Sequence, residues 1–83
     1  MDEGGVIGIV TNFYKHPGVA VVKLSAPLVV GMRVAVKGAT TNFEQTVESI
    51  QIEHENIERA SAGQTVGLKV DGRVRRNDKI YRL

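Results

Sequence analysis

Residues 65–70 read Thr-Val-Gly-Leu-Lys-Val, an alternation that places Val66, Leu68 and Val70 on one face and Thr65, Gly67 and Lys69 on the other. A period of two is the mark of a strand with one dry and one wet face. The residues before it, Ala60-Ser61-Ala62-Gly63, are small enough to turn tightly, and Gly63 accepts backbone angles that a Cβ resists. A second alternation over 32–37 directs Met32, Val34 and Val36 into a core and leaves Arg33 and Lys37 in water. Thirteen valines and six isoleucines against four leucines favour a pleated sheet over a helix. The expectation is one all-β domain over residues 1–83.

Taken in order, residues 5–14 form a strand in which Gly8 marks a bend or a bulge where another backbone approaches closely. Pro17-Gly18, within Lys15-His16-Pro17-Gly18, has the chemistry of a type II turn, so residues 18–24 return as the second arm of an antiparallel hairpin. Residues 25–31, with Pro27 and Gly31, read as a loop. Residues 38–42 read as a turn. The segment from Glu44 to Glu58 fits a long strand if a β-bulge at Glu48-Ser49 shifts the phase between Val47 and Ile50; as a helix its apolar stripe would be too sparse. Asp71-Gly72 is a turn, residues 73–77 a basic connector, and residues 79–83 a last short strand. Six strands and no helix predict a closed barrel, because closure removes sheet edges.

Several chemistries lack their residues. Without cysteine there is no disulfide framework, thiolate nucleophile or Cys-type zinc site. No apolar run approaches the roughly 20 residues of a membrane-spanning helix, and the acidic start Met1-Asp2-Glu3 is unlike a signal or transit peptide, so a cytoplasmic location is expected. His16 and His54 share no metal-ligand spacing, and along a strand Glu53 and Glu55 would point away from His54. Neither a metal nor a cofactor is expected.

The segments GVIGIVTNFYKHPGVAVVKL, VVGMRVAVKG and TVESIQIEHENIERASAGQTVGLKVDGRVRRNDKIYRL together resemble the second domain of the translational GTPases, typified by elongation factor Tu and shared by initiation factor two. The most specific parts are the Val30-Gly31 turn, the ASAGQTVG run at 60–67, and Arg76-Asn77-Asp78 before the final strand. The resemblance implies a six-stranded Greek-key barrel and an association with translation or RNA. Similar barrels end collagenase-like peptidases of the RNA-modification type. The chain has no GxxxxGK loop followed by Ser or Thr, so it binds no nucleotide by itself. The positions that hold aminoacyl-tRNA in that family fall on Gln51, Glu53, His54 and Thr65, which depart from its pattern.

Charge is unevenly spread. Residues 44–58 carry five acids and no Lys or Arg, whereas residues 69–82 carry six bases against Asp71 and Asp78. Arg73, Arg75, Arg76 and Lys79 are therefore the candidate contacts for RNA or a protein partner, with Lys15 and His16 as a weaker patch. The alternative is an ordinary solvated surface whose cations balance the acidic strand. Phe13, Tyr14, Phe43 and Tyr81 are the only aromatics, expected as core or barrel-end plugs unless exposed for base stacking. The function expected is a non-enzymatic adaptor contacting RNA, ribosome or a translation-related protein. The alternative is a protein-interaction module or a detached subunit of a separately encoded enzyme, such as a collagenase-like peptidase.

Overall fold

In the computed structural model, which describes residues 5–16 and 18–83, the expected alternations become strands and no residue is helical. The elements are β1 (Val6–Tyr14), β2 (Val19–Leu24), β3 (Leu28–Val29), β4 (Arg33–Lys37), β5 (Asn42–Thr46), β6 (Ile50–Ile52), β7 (Glu55–Ile57), β8 (Arg59–Ala60), β9 (Thr65–Lys69) and β10 (Lys79–Arg82). Eight form one sheet in the order β5-β4-β10-β1-β2-β9-β6-β7, with every pair antiparallel, and β3 and β8 make a separate two-stranded ribbon. Val10, Val22, Val34, Val36, Val47, Ile50, Val66, Leu68 and Ile80 pack inside it, with Leu28 brought in by the ribbon.

The strand β1 bears out the expectation at Gly8. Its ladder with β10 shifts register between Val6 and Gly8, and a Cβ on Gly8 would lie 2.7 Å from Val22 Cγ1. The bulge carries Val6 and Ile9 to the outer face while Ile7 and Val10 stay buried. The β1–β2 hairpin also forms; Gly18 has φ +68° and its N donates to Tyr14 O at 2.9 Å, while the expected type II turn rests on Pro17, which lies outside the described residues.

The closed barrel does not form, because the ladder runs from β5 at one end to β7 at the other without joining them. Across residues 47–49 the chain passes from the edge strand β5 beside β4 to β6 beside β9: Val47 still exchanges main-chain bonds with Gly31 and Met32 at 2.8 Å each, and Lys69 N then donates to Ser49 O at 3.5 Å. The side chain of Gln45 fills the gap. It is 3% exposed, its Nε2 donates to the Lys69 carbonyl at 2.8 Å, and its Oε1 accepts from the Asp71 amide at 2.8 Å. A primary amide carries the donor and acceptor of one peptide group, so it substitutes for a missing strand neighbour.

Two further expectations are corrected. Residues 25–31 are not all loop, since Leu28 and Val29 pair with Ala60 and Arg59. The segment 44–58 is not one bulged strand; it is β5, a crossing and the β6–β7 hairpin. Glu53 and His54 are the two loop residues of that hairpin, with φ +53° and +69°, the backbone hand that matches strand twist in a two-residue turn. The rule that alternate strand residues point apart therefore does not apply to His54 and its acidic neighbours.

Candidate functional site

The connector between β9 and β10 is basic in sequence and tightly held in space. Asn77 N donates to Val10 O at 2.7 Å, and Val10 N donates to Asp78 O at 2.8 Å, so the loop is stitched to β1. Asp78 is 4% exposed, and its Oδ2 accepts the Arg75 amide at 2.8 Å. With Asp78 N donating to Arg75 O at 3.1 Å, the turn over 75–78 is closed from both ends. Val74 points into the core, which leaves Arg73, Arg75 and Arg76 outside.

These three arginines, with Val74, Asn12 and Phe13, line an open cleft of about 570 Å³. Among the described residues the only ion pair is Arg33 with Glu44 at 3.5 Å, so none of the three cleft arginines is paired with a carboxylate of the acidic segment. Planar guanidinium groups on a held loop suit paired hydrogen bonds to carboxylate or phosphate. Asp78, which entered the sequence reading only as a charge to subtract and as the end of the Arg76-Asn77-Asp78 run, is the residue that shapes the loop. Its signal was its place beside Asn77, a residue that takes φ +79° here and ends the connector.

The other predicted contacts lie elsewhere. Lys15 and His16 are exposed in the turn after β1 and do not line the cleft. Lys79 stands on the outer face of β10, directly opposite Lys37 on β4 and Ile9 on β1. Tyr14 is 52% exposed, while Phe13 and Phe43 pack on the core and Tyr81 is half-buried beneath Lys37, whose Nζ lies 5.7 Å from the ring centre. Gln51, Glu53 and His54 border a second hollow of about 530 Å³ floored by Val19, Val21 and Gly67. Among the described residues no group of three or more His, Cys, Asp or Glu is placed to hold a metal ion, and no helix is long and apolar enough to cross a membrane.

Asp78→Ala is expected to destabilise the domain by about 1–3 kcal/mol, since it leaves the Arg75 amide without its acceptor in a partly dry site. Amide hydrogen exchange should accelerate over residues 73–78 before it does so in β2 and β9. Uniform acceleration across the sheet would show that Asp78 holds no local unit.

No protein-family model matches the chain. It is 41% identical over 78 residues to an uncharacterized protease of Methanocaldococcus jannaschii, a match covering 93% of this chain and 19% of that protein. It is 33% identical over 79 residues to a collagenase of Porphyromonas gingivalis, covering 93% of this chain and 22% of that one. The chain thus spans about a fifth of the length of these curated relatives. Among solved structures it superposes with a TM-score of 0.88 and 23% identity on the C-terminal domain of a Geobacillus thermoleovorans protein described as a candidate U32 peptidase, covering 94% of this chain and 91% of that one. The selenomethionine variant of that domain gives a TM-score of 0.89.

These matches overturn the likeness to the second domain of translational GTPases. They run over nearly the whole chain, including the segments on which that likeness rested, and they lead to proteases. The ASAGQTVG run and the Val30-Gly31 turn meet the needs of tight turns and close strand packing, which unrelated small β-domains share. The collagenase-like alternative is the one the relatives favour.

Proposed function

We propose that this chain is the accessory β-module of a U32-type peptidase, non-catalytic by itself, that works with a catalytic region and contributes contacts to its polypeptide substrate. The observation that carries this reading is the unequal coverage: 93% of the chain aligns with a fifth of a protease, so what is shared is a module and not the whole enzyme. The cleft supports a contact role, with Arg73, Arg75 and Arg76 offered to anionic groups of the substrate. No cofactor enters this reading.

The test uses labelled gelatin, chosen because one relative is named a collagenase. The chain alone should leave gelatin intact. Added in trans to a U32-type catalytic region that lacks a β-module, it should lower KM about threefold or more with kcat little changed, the pattern of added binding that is uniform between ground and transition states. The double charge reversal Arg75→Glu with Arg76→Glu should abolish that gain. Cleavage by the chain alone, or no change in KM at saturating module, contradicts the proposal.

A further inference from the structure

The register brings together residues that are distant in sequence. Across the outer face, Lys37 on β4 stands opposite Lys79 on β10, Lys79 opposite Ile9 on β1, and Ile9 opposite Lys23 on β2. Paired residues of an antiparallel ladder share a face, and with strands about 4.8 Å apart these four side chains form one continuous row. The next row sets Tyr81 opposite Val6. Val6 and Ile9 are each 38% exposed, and with Leu24, Thr11, Lys23 and Ser25 they line an almost wholly apolar groove of about 330 Å³.

Two features of this face disfavour the isolated domain. Lys37 and Lys79 are like charges placed directly opposite each other, which destabilises a sheet pair. The β1 bulge at Gly8 turns two large aliphatic side chains into water. Both features become favourable against a surface that is apolar at its centre and carries carboxylates around it.

We propose that this face, centred on Ile9 and Val6 and bordered by Lys23, Lys37 and Lys79, is where the module docks on the catalytic region, against an apolar patch rimmed by Asp or Glu. The inference rests on the peptidase-module reading. The occupant is a protein surface and not a nucleic acid, because the centre of the patch is aliphatic. Base stacking needs open aromatic rings, and Tyr81, the aromatic ring beside Val6, already lies under Lys37. The length of the relatives, about five times that of the chain, leaves a large body of protein to dock against.

The decisive experiment measures binding of the immobilised full chain to a U32-type catalytic region lacking a β-module, at low and moderate salt. Ile9→Asp and the pair Lys23→Glu with Lys79→Glu should each weaken binding by about tenfold or more, whereas Glu55→Gln on the far edge strand β7 should not. All these positions are exposed, and near-ultraviolet and far-ultraviolet dichroism of each variant establishes that it folds. Binding by wild type that the face variants retain overturns the docking face and leaves the module reading standing. Failure of wild-type protein to bind overturns both. Two other outcomes overturn the choice of partner: bulk tRNA bound by wild type and lost in the lysine variants, or concentration-dependent self-association that Ile9→Asp abolishes.

Discussion

Gln45→Leu is expected to lower the melting temperature by roughly 10–25 °C, corresponding to about 2–4 kcal/mol in a domain of this size. The leucine keeps much of the volume but removes the donor to Lys69 O and the acceptor for Asp71 N, two backbone groups at the junction where β5 and the end of β9 meet. An unpaired group in a partly dry position costs about 1–3 kcal/mol, and both would be orphaned at once. Gln45→Glu should fare no better at neutral pH: a carboxylate can still accept from Asp71 N, but it has no proton to give the Lys69 carbonyl. Thermal denaturation followed by circular dichroism checks both. A loss under about 3 °C for Gln45→Leu would mean that the amide adds no more than a surface hydrogen bond does.

The second large effect is at Gly8. Gly8→Val is expected to cost about 3 kcal/mol, at the upper end of ordinary overpacking. The new Cβ would fall 2.7 Å from Val22 Cγ1, 3.2 Å from Lys23 O and 3.3 Å from Leu24 Cδ2. Val22 is fully buried and Leu24 nearly so, and the carbonyl belongs to a paired strand, so none of the three can give way cheaply. Because Gly8 sits in the bulge that turns Val6 and Ile9 outward, relief of the clash should also disturb the docking face. Urea denaturation reports the stability, and amide shifts along β1 and β10 report the register. A midpoint equal to wild type with unchanged shifts would refute the close-packed account.

Much of the fold was legible in the residues because local chemistry and tertiary structure agreed there. The alternation over 65–70 became β9, Val34 and Val36 entered the core, and Gly63 took φ +91° in the turn that the small residues announced. The segment 44–58 was misread where they disagreed. A bulge at Glu48-Ser49 accounts for the phase slip, yet the slip records a passage from the edge strand β5 to β6 beside β9, followed by a hairpin. Nothing in Glu53-His54 resembles the Asn-Gly or Asp-Gly pairs that usually mark a two-residue turn, so the hairpin had no local signal. The closed barrel failed for a related reason. Hydrogen-bond closure is a property of how β5 meets β9, and a buried glutamine in mid-strand reads as an ordinary polar position until its partners are known.

The candidate site divides in the same way. The cluster Arg73, Arg75 and Arg76 is contiguous in sequence, so its common placement needed only a turn, and the structure keeps the three in one cleft. Lys79 was grouped with them by proximity along the chain, whereas strand pairing gives it to Lys37, Ile9 and Lys23 instead. By itself the sequence determined the all-β class, the individual strands rich in β-branched residues and the sign of the charge on each segment, because these follow from side-chain shape, periodicity and ionisation within a few residues. The tertiary structure alone decided that the sheet stays open with Gln45 at the gap, that Asp78 shapes the arginine loop, and that three lysines flank two exposed aliphatic side chains. Those outcomes depend on register between residues as far apart in the chain as Val6 and Tyr81, and a one-residue slip in any ladder would turn the row inward.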